Sequence, residues 1–223
     1  MYTLYIGNKN YSSWSLRPWV LMKTAGIPFR EERIPLYVEG SHERILGKSP
    51  SGRLPCLHDG ERVVWDSLAI AEYLAERHPG LWPSDATARG WARSVAAEMH
   101  SGFTRLRDEF GMNVRLRLKK APSPAVAEEI ARIVSLWREG RERLGSVSVS
   151  GAFLCGSFGI VDAFWCPVAF RFQTYGVAVQ AAADAYLQAL LALPAMQEWA
   201  TDSAREKERI PHADPPELQA QQQ

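Results

Sequence analysis

Cysteine is scarce in this chain. Only three occur in 223 residues, Cys56, Cys155 and Cys166, with no Cys-x-x-Cys spacing and no histidine cluster beside them. An odd, scattered set argues against a disulfide framework and against structural zinc, so reduced and mostly buried thiols are expected. Charge of one sign is missing too, because 26 basic residues are matched by 25 acidic ones for a net charge of +1. Without a basic face, neither nucleic acid nor an anionic membrane is expected as the main partner. There is no apolar run of membrane-spanning length and no signal-peptide pattern, Met1 leading straight into a short apolar segment. A cytoplasmic location is the resulting expectation. No internal repeat is present. What the chain does have is 46% hydrophobic residues, enough to build a real core in one large domain or two small ones.

The pattern of elements changes near residue 81. Before it, apolar spacing predicts a strand over Tyr2–Ile6, a helix over 15–25, a strand over 29–35, a short helix over Ser41–Leu46, and a hairpin pairing 54–58 with 62–65. Asp59-Gly60 supplies the hairpin turn, being a dipeptide that tolerates positive φ. Asp66 then caps a helix whose apolar face is Leu68, Ile70, Ala71, Tyr73 and Leu74, and His78-Pro79-Gly80 stops it. Residues 81–86, with Pro83, Ser84 and Asp85, read as a linker between a domain 1–80 and an all-helical domain 87–206. The helical part is expected to run over 85–118, 125–144, Ile160–Tyr175, 179–193 and 195–206, with a Gly/Ser-rich loop ending at Gly151. Residues 207–223, containing Pro211, Pro215, Pro216 and terminal glutamines, read as an extended or disordered tail.

Three places carry chemical signals. The corner Tyr11-Ser12-Ser13-Trp14-Ser15-Leu16-Arg17-Pro18 follows the first strand, with Ser15 as the natural N-cap and Pro18 in the first helical turn. Backbone N–H groups and the helix dipole there favour an anion or a polarised thiol, although a well-capped helix alone has the same composition. In Ser51-Gly52-Arg53-Leu54-Pro55-Cys56-Leu57, a proline at a strand start implies an edge, a bulge or a cis bond. A cis Leu54-Pro55 bond would turn the Leu54 backbone outward, where an extended peptide pairs with it. Asp66-Ser67 opens a helix and suits an amino-acid head group, or serves only as its cap.

In this order and framework the chain resembles the cytosolic glutathione transferase superfamily, up to about Arg209. Ser12-Ser13-Trp14-Ser15-Leu16-Arg17 is similar to the zeta-class (maleylacetoacetate isomerase-like) pattern Ser-Ser-Cys-Ser-x-Arg, with Trp14 where that class carries cysteine. The resemblance implies an α/β thioredoxin-like domain, β-α-β-α-β-β-α, followed by an all-α helical bundle. It implies glutathione as co-substrate, activated as a thiolate for attack on a small electrophile, with a zeta-like cis–trans isomerisation as one form of the reaction, and a homodimer. Carried over by position, Ser12 is the catalytic hydroxyl, supported by Ser13, Ser15 and Arg17. Leu54, Pro55, Asp66 and Ser67 bind glutathione, while Trp14, Phe103 and Arg107 line the co-substrate pocket. Two rival readings are a thiol reductase or peroxidase working through Cys56, and a non-catalytic scaffold that binds glutathione or apolar ligands. Family members carry a hydroxyl and an aspartate in a capping box at the central helix; here Gly159-Ile160-Val161-Asp162 keeps only the aspartate, so Asp162 reads as a folding residue.

Overall fold

A computed structural model describes residues 1–144 and 151–215. Strands β1 (Tyr2–Ile6), β2 (Phe29–Arg33), β3 (Cys56–Asp59) and β4 (Arg62–Trp65) form one sheet in the order β2-β1-β3-β4. β1 is parallel to β2, and β3 is antiparallel to both β1 and β4. Helices α1 (Ser13–Thr24), α2 (Ser41–Leu46) and α3 (Ser67–Ala75) complete the N-terminal thioredoxin-like domain. Alternation along β1 sends Leu4 and Ile6 to the face covered by α1 and α3, and Tyr5 to the other, where Ile34, Ile45 and Cys56 close a small second core.

The C-terminal region is helical: α4 (Ala86–Ser101), α5 (Thr104–Glu109), α6 (Pro124–Arg143), α7 (Ile160–Tyr175), α8 (Ala181–Leu191) and α9 (Pro194–Arg205). Every residue of α7 except Gln173 is buried, as its all-round apolar composition requires. It packs on α1 and α4, so one continuous hydrophobic core runs from the sheet into the bundle. Residues 81–85 carry no helix or strand. No helix among the described residues is long and apolar enough to cross a membrane.

Four sequence expectations change. α1 starts at Ser13, with Ser12 and not Ser15 as its N-cap, and Pro18 therefore lies inside the helix and not in its first turn. The helix expected over 85–118 breaks at Gly102-Phe103 and ends for good at Glu109. Gly102 is there for space, since a Cβ would meet the Glu98 carbonyl oxygen at 2.7 Å, and Phe103 follows in the left-handed region at φ 54°. Arg107 reaches back to satisfy the Met99 and His100 carbonyls at the end of α4. The tail expected to be extended or disordered is, over residues 207–215, packed against the molecule, with Ile210 1% exposed and a 3₁₀ turn over Pro211–Ala213. The Gly/Ser-rich loop at 145–150 and residues 216–223 lie outside the described residues.

Candidate active site

The turn between β1 and α1 is buried from Gly7 to Asn10, and it delivers the serines in a fixed order. Ser12 Oγ accepts the Ser15 backbone N–H at 3.3 Å as the helix cap, and donates its own proton to Ser15 Oγ at 2.8 Å. Ser15, fully buried, also accepts the Gly7 N–H at 3.0 Å. Ser15 is thus an internal brace for the corner. Ser13 is half-buried at the first helical position, and its hydroxyl has no hydrogen-bond partner among the described residues.

Trp14, the next residue, forms one wall of a cleft of about 430 Å³ together with Ser51, Arg53, Leu54, Pro55, Trp65 and Asp66. The Leu54-Pro55 peptide bond is cis. The β3 ladder begins only at Cys56, which pairs with Tyr5 and Trp65, so Leu54 stands outside the sheet pairing at the cleft. Asp66 enters from the opposite side with φ 29°; its Oδ1 accepts the Leu68 N–H at 2.7 Å while the carboxylate stays half-exposed. Ser67 is fully buried, and its Oγ accepts Arg17 Nη1 at 3.3 Å. What it offers at the start of α3 is a helix N-terminus.

Arg17 lies beside this cleft, 1% exposed. Among the described residues it has no carboxylate within ion-pair distance, and its Nε has no hydrogen-bond partner. Its guanidinium stacks on Trp14 at 4.2 Å and Phe164 at 4.9 Å, and Nη1 lies 3.4 Å from His100 Nδ1. Burial lowers its pKa to about 9, with Arg107 and Arg171 adding to that effect and Asp66 opposing it. His100 links the two sides: its Nε2 is 3.6 Å from Asp66 Oδ1 and its ring packs edge-on to Trp14. Burial lowers the imidazole pKa, against the pull of Asp66. A buried cation without a carboxylate partner is costly to hold and suited to compensate a bound negative charge. Arg17→Met keeps the volume and removes the cation. The unfolding free energy from urea titration is expected to stay within about 1 kcal/mol of wild type or to rise, while binding of an anionic thiol peptide falls at least about tenfold, the loss of one charge-assisted contact.

Neither Phe103 nor Arg107, both expected in the co-substrate pocket, is among the residues lining this cleft. Arg107 is held by the Met99 and His100 carbonyls, 5.1 Å from the Trp14 ring. Phe103 is buried against Trp165 and borders a separate depression with Glu98, Glu129 and Arg132. Trp65 and Ser51 at the cleft were not foreseen; Trp65 reads as a strand residue, and only its 45% exposure marks it as available. Cys56 is buried behind the cleft with its thiol pKa raised by burial, opposite to the shift that thiolate chemistry needs. A larger cleft, about 530 Å³ beside α3 and α4, has its charges occupied: Glu72 takes Arg93 and the Trp82 indole, and Arg89 donates to the Pro83 and Ser84 carbonyls.

A thioredoxin-like sheet with a cis-proline cleft, joined to a helical bundle, defines the class of this protein. Residues 11–77 match the family model "Glutathione S-transferase, N-terminal domain". Residues 11–77 are thus similar to a glutathione S-transferase N-terminal domain, and the fold of the chain is that of glutathione transferases. It is similar to a stringent starvation protein A homolog of Haemophilus ducreyi, 28% identical over 162 residues that cover 71% of this chain and 69% of the relative. It is also similar to a probable maleylacetoacetate isomerase of Caenorhabditis elegans, 28% identical over 102 residues, 45% of this chain and 47% of the relative. Among solved structures, a glutathione transferase homolog from a Burkholderia, with bound glutathione, superimposes with a TM-score of 0.68 at 23% identity, over 92% of this chain and 99% of that one.

Proposed function

We propose that the protein binds glutathione in the Trp14–Asp66 cleft and activates it as a thiolate toward a small electrophile. The observation that carries this reading is Arg17, a buried cation without a carboxylate partner among the described residues, beside a cleft bordered by Leu54, which lies just outside the sheet ladder, and by an acidic helix cap. The groups fit a peptide thiol. Leu54 offers main-chain pairing to an extended backbone, Asp66 accepts from an ammonium, and the start of α3 at Ser67 receives a carboxylate. Ser12 donates to the sulfur. Its oxygen is already held by the Ser15 N–H, so only its proton turns from Ser15 toward the sulfur, and preorganised donors of this kind stabilise developing charge most effectively. Arg17 and the N-terminus of α1 add positive potential. A free thiol has a pKa near about 8.5, and each unit of depression corresponds to about 1.4 kcal/mol of preferential stabilisation of the thiolate.

The likeness to the nematode maleylacetoacetate isomerase supports a zeta-like isomerisation as the finer form of this activity. In that version, thiolate addition to a cis double bond leaves a single bond free to rotate, and elimination of the same thiolate releases the trans isomer. Trp14 closes the electrophile side with Arg107 behind it. We propose further that the domain boundary falls at 81–86, and that the protein acts as a cytoplasmic homodimer. A second reading, a glutathione-binding module without turnover, is favoured by the stringent starvation protein A relatives, whose name states no transferase activity. Calorimetry separates the outcomes. Glutathione is expected to bind with a Kd of millimolar or tighter, and turnover is expected in a screen of maleyl-type acids, halogenated aromatics and peroxides. Binding without any turnover supports the module, and no binding removes both readings.

A further inference from the structure

We infer that Glu206 and Asp214, on the segment that follows α9, are positioning residues for the serine corner; the inference rests on the reading of that corner as part of the glutathione site. The turn over 7–11 determines where α1 begins, yet it has no regular structure to hold it. Asn8 and Asn10 are fully buried and Lys9 is 4% exposed, so their backbone polar groups must find partners inside the protein.

The partners come from the far end of the chain. Glu206, with its side chain 5% exposed, accepts the Lys9 N–H on Oε1 at 2.6 Å and the Asn10 N–H on Oε2 at 3.1 Å. Arg33 lies 3.5 Å from the same carboxylate. Asp214, 4% exposed, accepts the Tyr11 hydroxyl at 3.0 Å and Asn113 Nδ2 at 2.9 Å, and pairs with Arg209 at 2.7 Å. Arg115 ties segment and turn together: its N–H donates to Asn10 Oδ1 at 3.0 Å, and its guanidinium to the carbonyls of Glu206 at 2.8 Å and Glu208 at 3.3 Å. The Trp199 indole donates to the Lys9 carbonyl at 2.7 Å.

This turn passes its position directly to the serines. The Ser12 N–H donates to the Asn8 carbonyl at 2.8 Å, and the Gly7 N–H donates to Ser15 Oγ at 3.0 Å. A carboxylate that accepts two adjacent amides, each a charge-assisted bond, fixes both distance and orientation of the backbone it holds. Since displacement of a reacting group by about 1 Å costs on the order of a hundredfold in rate, the segment 206–214 sets the geometry of the corner without touching the cleft.

The test is Glu206→Gln in the full chain. A carboxamide has the same shape but accepts only one of the two amides. Hydrogen exchange at the Gly7, Ser12 and Ser15 amides is expected to accelerate at least about tenfold, while amides within Ala163–Phe170 of α7 stay within about twofold, and the Kd for glutathione rises at least about fivefold. Asp214→Asn, which weakens the Tyr11 end, is expected to give the same local pattern. Acceleration spread equally over α7, or no change at the corner in both variants, overturns the positioning role. If wild type binds no glutathione, the reading of the site fails, while the exchange pattern still decides whether these carboxylates position the corner.

Discussion

Asp162→Ala is expected to lower the stability of the folded chain by about 3–5 kcal/mol, the range for breaking a buried, hydrogen-bonded charge, with a fall in Tm of roughly 6–20 °C for a chain of this size. The carboxylate is fully buried at the start of α7 and satisfies three donors: the Leu154 N–H at 3.1 Å, the Gly159 N–H at 2.9 Å and the Tyr186 hydroxyl at 2.8 Å. Alanine leaves all three without an acceptor at the centre of the core. Burial outweighs those three hydrogen bonds, which favour the charged form, and leaves the pKa raised from 3.8 to about 6. The sign follows from linkage. A carboxyl group whose folded-state pKa lies above its unfolded value favours folding when protonated, so its contribution is complete below the unfolded pKa and is lost as pH rises through about 6. The size is about 3 kcal/mol, roughly two pK units at about 1.4 kcal/mol each. Denaturant midpoints between pH 4 and pH 7 are therefore expected to show this slope in wild type and not in Asp162→Ala. A variant as stable as wild type at pH 7 would mean that the three donors find other acceptors.

Ser12→Ala is expected to reduce glutathione-dependent turnover by about 10²–10³-fold, the usual loss when one preorganised donor is removed from developing negative charge. The pH dependence should move with it. A donor to the thiolate lowers the thiol pKa, so its loss shifts the midpoint of the pH–rate profile up toward about 8.5. The same substitution removes the cap of α1, costing about 1 kcal/mol in stability, which is too little to explain the kinetic loss. Ser13→Ala is the control: its hydroxyl is held by no hydrogen bond among the described residues, so less than about tenfold in rate and less than about 0.5 kcal/mol in stability are expected. The reverse ranking of the two variants assigns the donor to Ser13, whose hydroxyl is free to turn, and leaves Ser12 as a cap alone.

Much of the fold and half of the cleft can be read from local spacing. Period-2 apolar runs at Tyr2–Ile6 and around the Asp59-Gly60 turn specify the sheet, and the apolar, aromatic run Ile160–Tyr175 specifies a buried helix whose observed ends match. Trp14, Leu54, Pro55 and Asp66, named from local pattern and resemblance, meet in one cleft because each sits at the end of an element, where the chain must turn. These features depend on neighbours in the chain, and local spacing encodes them.

Other features depend on contacts between residues far apart in the chain. Ser12 and not Ser15 caps α1 because Ser15 is drawn inward to the Gly7 amide, a contact set by how the turn folds under the helix. Phe103 faces Trp165 because the helix breaks at Gly102, the one residue that fits against the Glu98 carbonyl there, and apolar periodicity does not register such a break. The segment 207–215, polar and proline-bearing, reads as a free tail, yet it is packed because buried amides and a tyrosine hydroxyl some two hundred residues earlier require its carboxylates. Unpaired backbone groups create that requirement, and no composition rule reports where they are.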